Sequence, residues 1–165
     1  MRLGILSDTH DQVERTRTAV DLLARAGADV LIHCGDITIP DVIYELSGRP
    51  TFFVLGNCDE ELDLLRRAIG TIGGTCLDRG GLVNLGGVRV AVTHGHLGKE
   101  WERLEAEAPD YFFSGHTHQA QDVRRGTTRF INPGALHRAS TWTVALLHLP
   151  NGKLDTIQVE DHRQK

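Results

Sequence analysis

Five of the nine histidines fall into three short groups, Asp8-Thr9-His10, His94-Gly95-His96 and Gly115-His116-Thr117-His118. Gly35-Asp36 and Gly56-Asn57-Cys58-Asp59 add two more clusters of polar side chains. Imidazoles, carboxylates and amide oxygens are the donors that hard-to-borderline divalent cations take. Each group follows a short apolar run, at residues 3–6, 30–32, 52–55, 88–92 and 111–113. Singly, each has an ordinary explanation: Asp-Thr-His is a common helix cap, and Gly-Asp and Gly-Asn are common turns. Two imidazoles one residue apart, as in His116 and His118, rarely have a packing reason. Five groups at the same short offset from five apolar runs are hard to attribute to chance. Side chains released at the tips of five strands would converge on one edge of a sheet. There they could hold a pair of divalent ions, which points to metal-assisted hydrolysis.

The elements that must do this positioning are legible from the pattern. Residues 3–6 read as a buried strand, and Asp11 as the cap of a helix running to about Ala26, stopped by Gly27. Residues 30–33 form the next strand. Pro40 suits a first helical position, and residues 41–46 make a short helix. Residues 51–55 form a third strand, and Asp59 reads as the cap of a helix over 60–68, with a supporting role behind the ligating side chains as the alternative. This alternation of strand and helix is that of parallel βαβ units.

The second half is different. Residues 70–87 are rich in glycine and read as turns with one or two short strands. Residues 88–92 alternate as a half-buried strand does. A helix is expected over 99–107, stopped by Pro109, and strands over 111–114, 120–124, 128–131, 143–149 and 156–159. With few helices between them, antiparallel pairing is expected. Pro150-Asn151-Gly152 is a strong hairpin turn. No internal repeat or linker divides the chain, so one α/β domain is expected over residues 1–165, with two β-sheets covered by helices.

Bulk composition narrows the field. A chain of 165 residues can bury a substantial apolar core. The net charge of −4 is mild, and no basic run exceeds two residues, so no track for a nucleic-acid backbone is evident. Cys34, Cys58 and Cys76 show neither an even count nor CxxC spacing, which argues against a disulfide framework or a zinc ribbon. No apolar stretch reaches signal-peptide or membrane-span length. A soluble, cytoplasmic protein without a membrane partner is expected.

In order and spacing, Asp8-Thr9-His10, Gly35-Asp36, Gly56-Asn57-Cys58-Asp59, His94-Gly95-His96 and Gly115-His116-Thr117-His118 resemble the calcineurin-like metallophosphoesterases. The similarity is to their small bacterial and archaeal phosphodiesterase group, and Asn132-Pro133-Gly134 extends it. The resemblance implies a four-layer fold, two β-sheets in a sandwich flanked by helices. It implies one metal held by Asp8, His10, Asp36 and His118, and a second held by Asp36, Asn57, His94 and His116, with Asp36 bridging. The cofactors would be two divalent transition-metal ions, manganese first, with iron, nickel, cobalt or zinc as alternatives. Ions about 3.5–4 Å apart activate a shared water, as a bridging hydroxide, for in-line attack on a phosphoester. The implied substrate is a small phosphodiester, and a homodimer or higher homo-oligomer is plausible.

The chain departs from the pattern at Cys58, where many members carry a histidine thought to protonate the leaving group. A small packing residue is the simpler reading of Cys58. His96, beside ligand His94 but not itself needed as one, is the candidate catalytic and substrate-binding residue, with Asn57 also facing substrate. His33 reads as a packed, hydrogen-bonded residue, and His137, His148 and His162 as surface or strand residues. Trp101 and Trp142 suit a core or a subunit contact, and Cys34 and Cys76 buried positions. An alternative within the same fold is a protein-interaction scaffold like a retromer subunit, in which ligand histidines can be lost. None is missing here.

Overall fold

The structure, a computed structural model, describes residues 1–160, so His162 lies outside the described residues. In chain order the elements are β1 (Arg2–Leu6), α1 (Val13–Arg25), β2 (Val30–His33), α2 (Pro40–Glu45), β3 (Thr51–Phe53), α3 (Leu62–Thr71), β4 (Thr75–Cys76) and β5 (Gly80–Leu85). Then come β6 (Val88–Thr93), α4 (Gly98–Glu105), β7 (Tyr111–Phe113), β8 (Gln121–Arg125), β9 (Thr128–Asn132), β10 (Thr143–His148) and β11 (Lys153–Gln158).

After Arg2, every residue of β1 is buried, and so is all of β2, as strands covered on both faces require. They lie in a six-stranded sheet of order β11-β10-β1-β2-β3-β4, which faces a five-stranded sheet of order β5-β6-β7-β9-β8. Alternation divides β1 between two cores. Leu3 and Ile5 point into the space between the sheets with Val30, Ile32, Val92, Phe113 and Leu147. Leu6 points the other way, into the layer where Leu31, Phe53 and Leu146 meet Ala19 and Leu23 of α1, Ile43 of α2 and Ile69 of α3. On the outer face of the second sheet, Leu104 and Trp101 of α4 cover Ala91, Phe112 and Phe130. The layers are therefore helices, sheet, sheet and helix, as expected. Gly4 lets α1 come close: a methyl there would sit 2.8 Å from Leu31 Cδ2 and 3.1 Å from Leu23 Cδ1.

Several boundaries differ from the sequence expectation. α1 begins at Val13 and no side chain caps it; the Asp11 carboxylate instead accepts from Gln12 Nε2 at 2.7 Å. α3 begins at Leu62, so Asp59 is not its cap. In the second sheet, β6, β7 and β9 are parallel, with α4 crossing between β6 and β7. Only the β5–β6 and β8–β9 pairs there are antiparallel. The crossover runs over residues 94–110, with the eight-residue α4 inside it. The hairpin at Pro150-Asn151-Gly152 joins β10 to β11 as expected, but β11 starts at Lys153. No helix among the described residues is long and apolar enough to cross a membrane.

Candidate metal centre

The five groups do converge, but from two sheets rather than from one edge. Asp8 and His10 follow β1, Asp36 follows β2 and Asn57 follows β3 in the first sheet. His94 and His96 follow β6, and His116 and His118 follow β7 in the second. Left-handed backbone turns the side chains inward as each strand ends. Asp8, His10, Asp36, His116 and His118 have φ between +47° and +67°, a conformation that non-glycine residues rarely adopt. Each costs on the order of 1–2 kcal/mol, strain that persists where surrounding structure enforces it and that concentrates at functional sites.

The side chains meet at short range. His118 Nε2 lies 3.1 Å from Asp8 Oδ1, and His10 Nε2 lies 3.7 Å from Asp36 Oδ2. His94 Nε2 lies 3.4 Å from Asp36 Oδ2, 4.0 Å from Asp8 Oδ1 and 3.1 Å from Asn57 Oδ1. The His116 ring stands 5.1 Å from that of His94, and its backbone N–H donates to Asp8 Oδ2 at 3.1 Å. Candidate donor atoms of Asp8, His10 and His118 lie within 4.8 Å of one another, as do those of Asp8, Asp36 and His94.

This donor set fits cations. Asp8 and Asp36 are 0% and 2% exposed, and burying two carboxylates together is costly without positive charge between them. Asp8 Oδ1 and His10 Nε2 are buried and take part in no well-formed hydrogen bond. His94 Nδ1 lies 2.8 Å from the Cys34 carbonyl, which can only accept, so this nitrogen carries a proton. Its Nε2 then faces only oxygens, a position that suits a second proton or a metal ion. His118 repeats the pattern, with Nδ1 3.4 Å from the Arg138 carbonyl and Nε2 toward Asp8. Burial works against the His94 charge, but the hydrogen bond to Asp36 and the charges of Asp8 and Asp36 raise its pKa overall. For Asp36, burial acts upward; the His94 hydrogen bond and charge and the Cys58 N–H outweigh it and hold the carboxyl well below the usual range.

Around these groups lies a set of braces. Asp59 is buried and accepts the backbone N–H of Asp36, Ile37, Thr38 and Gly56 at 2.7–3.1 Å, locking the Asp36 loop to the Asn57 loop. Asn132 Nδ2 donates to the Gly115 carbonyl at 2.8 Å and to Thr117 Oγ1 at 3.1 Å, steadying the loop that bears His116 and His118. His33, fully buried, lies 2.9 Å from Thr9 Oγ1 and accepts the Gly35 N–H at Nδ1, the packed role expected of it.

Cys58 is not a packing residue. It is exposed, and its sulfur lies within 4.8 Å of donor atoms of His10 and Asp36. Partial burial and the Asp36 carboxylate push its thiol up to about 11. His96 stands with its ring 5.3 Å from that of His94 and 6.2 Å from that of His116. Burial, then the charges of His94 and His116, lowers its pKa. His137, read as peripheral, packs its ring 4.6 Å from that of His10, whereas His148 pairs with Asp155 at 2.7 Å, far from the cluster in the β10–β11 hairpin. Trp101 packs on Phe112 and Phe130, and Trp142 carries the Arg15 guanidinium over its ring. Cys34 is buried, while Cys76 is only partly so.

This combination of a two-sheet sandwich and a histidine–carboxylate cluster at its strand tips corresponds to a known class. Residues 1–152 match the calcineurin-like phosphoesterase superfamily domain, and the chain belongs to that superfamily. Phosphodiesterase MJ0936 of Methanocaldococcus jannaschii is 29% identical over 138 residues, spanning 81% of this chain and 83% of its own. A solved structure described as a novel archaeal phosphodiesterase superposes with a TM-score of 0.87 at 26% identity, covering 96% of this chain and 100% of that one. Vps29 of Entamoeba histolytica in complex with zinc shares the fold, with a TM-score of 0.62 at 17% identity, covering 96% and 98%.

Proposed function

We propose that this protein is a dinuclear metal-dependent phosphodiesterase. One ion would be held by Asp8, His10, Asp36 and His118, the other by Asp36, Asn57, His94 and His116. The observation that carries the reading is the convergence of three imidazole Nε2 atoms on two buried carboxylates. Bound there, two divalent cations, manganese first among them, would activate water and neutralise charge on a phosphoryl group.

The chain's own residues do the rest. Asp36, facing His10 on one side and His94 on the other, supplies one anion to both halves of the cluster. Asn57 is neutral, so it offers an oxygen without repelling an anionic diester. Asp59 keeps the Asp36 and Asn57 loops in register while the substrate binds. His96, whose protonated form burial and the neighbouring imidazoles disfavour, is suited to hydrogen-bond a phosphoryl oxygen. A thiol at about 11 makes Cys58 a weak proton donor. That combination favours diesters whose leaving group needs little protonation, or a leaving group that takes its proton from another donor, such as solvent.

The likeness to Vps29 supports a second reading, a protein-interaction scaffold. The intact donor set supports the enzyme; because Vps29 itself is described in complex with zinc, bound metal alone does not separate the two readings, and turnover decides between them. The test is hydrolysis of bis(p-nitrophenyl) phosphate by manganese-loaded protein, with elemental analysis of bound metal. Asp36→Asn and His116→Ala should each lower kcat/KM by about 100-fold or more, the order expected when a metal-centred contribution of several kcal/mol is lost, while circular dichroism stays native. Retained activity in either variant would refute the ligand assignment. No turnover and no bound metal in the unaltered chain would leave the scaffold.

A further inference from the structure

A cavity of about 730 Å³ opens beside the cluster. Asn57 and His96 line it on the side of the candidate ligands, and Leu55, Leu62 and Leu77 give it an apolar wall. Its size falls within the roughly 300–1,000 Å³ of small-molecule sites and exceeds what a phosphate group alone needs. A further space of about 430 Å³ shares His96 and Arg79 with it.

Arg79 is the unusual member. The other cavity arginine, Arg66, is held by Asp63 at 3.0 Å and Asp78 at 2.8 Å. Asp59 is committed to backbone N–H groups, and Glu100 in the neighbouring space to Arg103 at 2.5 and 3.0 Å. Arg79 takes part in no ion pair among the described residues. Arg79 lines both spaces together with His96, and Glu100 lines the second. The backbone explains how it gets there. Gly80 pairs with Thr93 across β5 and β6, and Thr93 Oγ1 donates to the Arg79 carbonyl at 2.9 Å. Arg79 therefore enters β5 opposite the His94-Gly95-His96 turn.

We propose that this cavity is a subsite for one arm of an extended phosphodiester, and that Arg79 recognises a second, terminal phosphate on that arm. The leucine wall suits a flat, weakly polar ring, and a guanidinium presents paired donors that match a phosphate. The substrate class is then a short nucleotide-like diester bearing a terminal phosphomonoester. This rests on the phosphodiesterase reading above.

The experiment compares the dinucleotide ApA with its 5′-phosphorylated form pApA, using bis(p-nitrophenyl) phosphate as reference for the manganese-loaded enzyme. A charge-assisted contact predicts a kcat/KM ratio of pApA to ApA of about 10–100 in the unaltered chain, falling to about 1 in Arg79→Gln. Calorimetric binding of adenosine bisphosphate against adenosine monophosphate should show the same preference, and its loss in Arg79→Gln, without any turnover. A ratio near one in the unaltered chain, or one that survives Arg79→Gln, overturns the subsite while turnover of the aryl diester leaves the phosphodiesterase standing. No turnover of the aryl diester and no bound metal would remove both.

Discussion

His33 and His94 are both wholly buried, yet their protons respond in opposite directions. His33 meets a hydroxyl and a backbone N–H, so burial, reinforced by the His94 charge, pulls its pKa down to about 3. His94 faces two carboxylates, and its pKa rises despite burial. For His33 the consequence is a pH-dependent stability. Between about pH 6.5 and 3 the unfolded chain binds a proton that the folded chain refuses, so stability falls on acidification, by at most about 1.4 kcal/mol per pH unit from this group. In urea denaturation of metal-free protein, the deficit of His33→Gln relative to the unaltered chain should therefore be largest at pH 7.5 and narrow by pH 4.5. A deficit that stays constant with pH would show that His33 is not the group responsible. That these side chains would converge was legible in the sequence, because few residue types can ligate and they stand at strand ends. Of the two readings of Asp59, the helix cap fails and the supporting role holds; a carboxylate just before a helix is what a cap looks like. Three of its four partners, the N–H groups of Asp36, Ile37 and Thr38, lie more than twenty residues away, a distance that no local pattern reports. Cys58 was misread because exposure depends on where its loop goes, not on its own apolar character.

Among the elements, the two sheets come close together where β1 and β7 end. Gly115 sits there with ordinary backbone angles, and a Cβ on it would strike the Ser7 hydroxyl and come within 2.7 Å of Asp8 Oδ2. Gly115→Ala should therefore cost about 1–3 kcal/mol by overpacking, and should weaken metal binding as well, because Asp8 must shift. Gly98→Ala, with nothing within 4 Å of the added methyl, is the control and should leave stability within about 0.5 kcal/mol. Urea denaturation and a metal titration of both variants measure this, and equal behaviour would refute the steric argument. Strands were the readable elements, since apolar runs bounded by turns mark them. Their pairing was less so. The parallel course of β6 and β7 turns on α4, whose eight residues gave too little periodicity to show that a crossover was being made. The starts of α1 and α3 were displaced because Asp11 and Asp59 bond to groups other than the helix N-terminus.

For the molecule as a whole, the sandwich architecture was legible because the alternation of βαβ units and then hairpins leaves few ways to cover both faces of two sheets. What the sequence did not disclose is that the candidate ligands are divided between those sheets. Asp8, His10 and Asp36 belong to one, and His94, His116 and His118 to the other. A site of that kind cannot exist until both sheets have formed and docked. Metal should then leave the refolding rate unchanged and act on the escape rate alone. At a free concentration 100 times Kd, binding worth about 2.7 kcal/mol would slow unfolding by about 100-fold. Stopped-flow unfolding and refolding in urea, with manganese and with chelator, measure both limbs; faster refolding with metal would mean that the centre assembles before the sheets close. On this argument, the half-life of the folded chain is a clock set by how much metal its surroundings supply.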